Sequence, residues 1–171
     1  VIDPISGEPM KNFPLGGGQG SYGSISTATY IKYAFDFYQG DSIRQNTIVN
    51  FINNIVPTGA YVLAYSQDNH SIANYSEPLY LAFESMGSSK IRTVPANRPY
   101  IFYGRKGNAI GQSKELIGAA ANSILTFDTT LTTNWNEGTI SSPVIGPASS
   151  WGSFHWRSHH VDGASTDDSI Y

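Results

Sequence analysis

Apolar and polar residues alternate most clearly between Tyr30 and Tyr38. Ile31, Tyr33, Phe35 and Phe37 share one side, and Lys32 and Asp36 the other. That period of two predicts a half-buried β-strand. The period then changes. Ile48, Phe51, Ile52 and Ile55 recur at three- and four-residue spacing, which predicts a helix over 42–55 with one apolar stripe. Ser42 with Gln45 fits a capping box, and Asp41 places negative charge at the positive end of that helix. Pro57 and Gly59 end it.

Two short apolar runs follow, Tyr61-Val-Leu-Ala-Tyr65 and Tyr100-Ile-Phe-Tyr103, each bounded by turn residues. They read as strands buried on both faces. Between them a second helix is predicted from Pro78 to Met86, capped by Ser76 or Glu77, with Leu79, Ala82, Phe83 and Met86 as its buried stripe. Gly87 is the residue that can adopt the left-handed conformation ending such a helix. Residues 108–122 carry little pattern. Leu125, Phe127, Thr129 and Leu131 then fall on one side of an alternating run.

The ends of the chain read differently. Residues 1–27 hold Asp3-Pro4, Glu8-Pro9, Phe13-Pro14 and Gly16-Gly-Gly-Gln-Gly20, a density of Pro and Gly that predicts a linker or loop. The glycines lack the Lys-Ser/Thr of a phosphate loop, so a surface loop is the reading there. The main domain is expected over 28–137. From Gly138 the chain is extended and proline-broken, and Ser153–His159 alternates like a strand. Residues 138–171 thus form a β-rich tail, either the first strands of a truncated β-sandwich domain or strands completing the main sheet.

Composition sharpens this. The 171 residues amount to one domain, or one and part of another, with 40% hydrophobic, 13% aromatic and only 13% charged residues. Ser, Thr, Asn and Gly supply the polarity, as in secreted β-rich adhesive modules. A net charge of −3 without a basic run argues against nucleic acid as a partner. No apolar stretch approaches the ~18 residues of a membrane span. Cysteine is absent, which excludes a cysteine nucleophile, a thiolate metal site and disulfides.

Several groups invite a chemical reading. His155, His159 and His160 with Asp162, Asp167 and Asp168 come nearest to a metal cluster. On one strand His155 and His159 lie ~13 Å apart, too far for one zinc ion, and the aspartates lack the calcium-loop spacing. No metal and no cofactor is therefore expected. No Gly-x-Ser-x-Gly elbow or other catalytic signature occurs, so the chain is read as no enzyme. Trp135, Trp151 and Trp156 suit either core packing or a sugar-stacking platform. Asn69-His-Ser71 and Asn74-Tyr-Ser76 are glycosylation sequons in one loop.

The stretch from Gly59 to Gly107 carries a resemblance. Gly59, Val62-Leu63, Asp68, Ala82-Phe83, Met86-Gly-Ser-Ser89, Ile91, Phe102, Gly104 and Lys106-Gly107 follow a family pattern. The pattern is that of the interleukin-like EMT inducer (PANDER-like, or GG) domain. Ser142–Ala148 and Trp151…Trp156 extend the likeness to a region of bacterial type IX secretion sortase-like, gingipain-type proteins, which carry such a domain as an accessory module. The resemblance implies an α+β fold, mostly antiparallel β-sheets with two short helices packed on them. It also implies a non-catalytic recognition module, extracellular or on the cell surface, joined to neighbouring domains of a longer chain.

Carbohydrate binding is the concrete version of that function, and a structural or protein-docking module positioning a peptidase domain is the alternative. Relatives among the O-mannose glycan-extending transferases bind a GlcNAc-type sugar beside an Arg-Asp-x-Trp segment. Here Asn97 falls on that arginine, Arg98 one place later, and Tyr100 on the tryptophan. Asp68, Asn97, Arg98 and Tyr100 are accordingly the implied glycan-binding residues.

Overall fold

The computed structural model describes residues 1–16, 19–23, 32–67 and 71–131. The fold is α+β. Its centre is a three-stranded antiparallel sheet of β3 (Tyr61–Tyr65), β4 (Tyr100–Arg105) and β5 (Lys114–Ile117), with β4 in the middle. Tyr61 stands opposite Arg105 and Tyr65 opposite Ile101, while Tyr100 stands opposite Ile117.

Because side chains alternate across a strand, this register sorts the sheet into two faces. Val62, Ala64, Tyr100, Phe102, Glu115 and Ile117 point to the core. Two helices close over it: α1 (Ser42–Asn50), which continues as a π-helix (Phe51–Ile55), and α2 (Glu77–Glu84). They contribute Ile48, Phe51 and Ile52, and Leu79, Ala82 and Phe83, to one hydrophobic cluster. Phe83 meets Phe102 edge to face at 5.3 Å between centroids.

The opposite face corrects the expectation of strands buried on both sides. Leu63 is 45% and Tyr65 59% exposed there. Its other aromatics cover one another in a row: the Arg105 guanidinium lies over Tyr61, Tyr61 stacks on Tyr103, and Tyr103 meets Phe127. Phe127 thus gives the alternating run of 125–131 its anchor, although that run joins no ladder.

The strand expected over 30–38 is also corrected. Residues 30 and 31 lie outside the described residues, and 32–39 form no ladder. This segment is held by Asn12, whose backbone N–H donates to Lys32 O and whose amide donates to Ala34 O. Its alternation has a different origin: Phe35 and Phe37 pack on Phe51, with centroids 4.7 and 5.1 Å away.

The first helix begins where predicted, but Asp41 is its cap. The carboxylate accepts from the Arg44 N–H at 2.9 Å. Gln45 does not close a capping box with Ser42; it is buried and ties the helix to two loops, donating to Gln39 O and Asn74 O and accepting from Ser76 N.

The N-terminal segment is more than a lead-in. Ile2 exchanges two backbone bonds with Tyr61, and Pro14–Gly16 (β1) pairs with Gln19–Gly20 (β2) where a plain loop was predicted. Residues 132–171, with Trp135, Trp151, Trp156, the His155/His159/His160 group, its aspartates and the β-rich tail, lie outside the described residues, as does Asn69.

Candidate functional site

Helix α2 ends by chain chemistry that the sequence announces. Gly87 has φ +100°, and its carbonyl accepts from the N–H groups of Gly111 and Ser113 and from the Ser113 hydroxyl. The chain then turns through Ser88, Ser89 and Lys90 into a 3-10 turn at Ile91–Thr93. The Thr93 N–H closes that turn on Lys90 O, but the Ser89 and Lys90 N–H groups at its entrance find no backbone acceptor and need a side chain. Glu115 supplies it. Its carboxylate accepts from the Ser88 hydroxyl at 2.5 Å, the Ser89 N–H at 3.0 Å and the Lys90 N–H at 3.1 Å. Ser88 itself is wholly buried, and its oxygen accepts from Ile91 N.

Tyr100 completes this knot. Its ring is in the core, 4% exposed, and its phenol donates to Glu115 at 2.5 Å. Burial, then the bond to Glu115, push the phenol pKa up. Burial alone would raise the Glu115 carboxyl as well. The bonds from Ser88, Tyr100 and the Ser89 and Lys90 amides outweigh it and hold the carboxyl below its ordinary value.

The residues implied as a glycan site separate accordingly. Tyr100 is not on a pocket wall, because β4's register turns it inward toward Glu115. Asn97 is exposed in a turn at φ +57°. Arg98 is half-buried, and its guanidinium donates to Ala119 O. Asp68 lies outside the described residues. Its loop does leave the same end of the sheet as Asn97 and Arg98, since Ser66 N–H donates to Tyr100 O and Ser66 Oγ accepts from Tyr100 N. Two open hollows, of about 400 and 260 Å3, lie against the N-terminal segment and the π-helix, and neither is lined by Asn97, Arg98 or Tyr100.

Gly59, Gly104 and Lys106, three further residues of the family pattern, serve the fold. Gly59 sits at φ +85° and donates to Lys106 O. A side chain at Gly104 would strike the Met86 carbonyl and the Phe102 ring. Lys106 reaches across to the end of the π-helix and donates to Asn53 O at 2.8 Å and Val56 O at 2.6 Å. Those carbonyls have no partners within their own helix, so the ammonium caps it.

Among the described residues no three His, Asp or Glu side chains cluster as metal ligands, and no helix is long and apolar enough to cross a membrane. Glu115 went unread in the sequence, and Ser88 was read only as a residue of the family pattern. The Ser88-Ser89 pair after Gly87 was the available signal, since a hydroxyl that becomes buried, as that of Ser88 does, needs a partner.

Compared with known families, residues 23–108, half of the chain, match the model described as Interleukin-like EMT inducer. No curated protein and no solved structure matches the chain.

Proposed function

The chain belongs to the interleukin-like EMT inducer family, and on that premise we propose that it is a non-catalytic accessory module that docks against other polypeptide. The observation that carries this reading is Tyr100. The aromatic ring expected to stack on a sugar is in the core, with its phenol on Glu115. The matching glycines and Lys106 likewise have backbone partners inside the fold. What remains for recognition is surface. The resemblance to secretion-related bacterial proteins supports a setting outside the cell, beside neighbouring domains of a longer chain such as a peptidase domain.

Carbohydrate recognition is the second reading, and one observation favours it: Asn97, Arg98 and the loop carrying Asp68 leave the same end of the sheet. An amide and a guanidinium at one end of the sheet suit hydroxyl-rich ligands. Glycan-array binding of the isolated chain separates the two. The docking reading predicts a blank array. Saturable binding to one glycan class that Arg98→Ala abolishes would overturn it.

A further inference from the structure

We draw no further inference here: the strongest candidate, the hollow of about 260 Å3 beside the π-helix that Tyr22, Phe37, Asn50 and Phe51 line, carries nothing, because nothing in the structure shows what covers it.

Discussion

The phenol of Tyr100 donates to the carboxylate of Glu115 across neighbouring strands, at 2.5 Å. The same carboxylate holds the Ser88–Lys90 turn that follows α2. One buried anion therefore joins β4, β5 and the end of α2, and its donors include two members of the family pattern, Ser88 and Ser89.

Acid should loosen this knot. The folded Glu115 carboxyl lies below its ordinary value of 4.5, so its contribution is fully present above that pH and is lost as pH falls through the folded value. The melting temperature should drop on acidification below pH 4.5. Glu115→Gln should cost about 2 kcal/mol at neutral pH, because the amide turns a donor toward other donors. It should also flatten the acid limb of the melting curve. An unchanged acid limb in the variant would refute this.

Three glycines should rank by their surroundings. Gly111 has φ +91° with nothing near its missing Cβ, so Gly111→Ala should cost ~1 kcal/mol from backbone conformation alone. At Gly87 a Cβ would also meet Asn108 Cβ at 3.0 Å and Ala109 O at 3.2 Å, and the cost should be about 2 kcal/mol. Gly104→Ala should be the worst, at ~3 kcal/mol or more, because backbone and ring cannot both yield. Denaturant titration of the three variants checks the order.

Much of this architecture was legible in the sequence, for identifiable reasons. The runs at 61–65 and 100–103 mark strands because they are apolar and punctuated by turn residues. Gly87 marks a helix end because only a residue without Cβ takes φ +100° cheaply. Strand β5 stayed hidden because Lys-Glu-Leu-Ile places a carboxylate, Glu115, on its core side and breaks the expected alternation. Phe35 and Phe37 imitated a strand because both pack on Phe51 from a segment without a ladder. The site assignment of Tyr100 rested on sequence register to sugar-binding relatives. The partner that draws it inward stands fifteen residues later, in an unpatterned stretch.

The ends of the first helix offer a test of local chemistry. Asp41→Ala should cost ~1 kcal/mol, since its carboxylate is the cap, whereas Ser42→Ala should be close to neutral. At the far end Lys106→Met should cost about 1–2 kcal/mol through two lost bonds to carbonyls. Hydrogen exchange at Ile55 and Val56 should quicken in Lys106→Met and not in Ser42→Ala. Equal effects from Asp41→Ala and Ser42→Ala would place the cap at Ser42 instead.

The central claim is that Tyr100 acts within the fold, through Glu115, and not at a ligand surface. A double-mutant cycle by chemical denaturation, combining Tyr100→Phe with Glu115→Gln, tests it most directly. The account predicts a coupling energy of about 1–2 kcal/mol between the two substitutions. Additive effects, with Tyr100→Phe costing nothing by itself, would contradict it and return Tyr100 to the candidates for ligand binding.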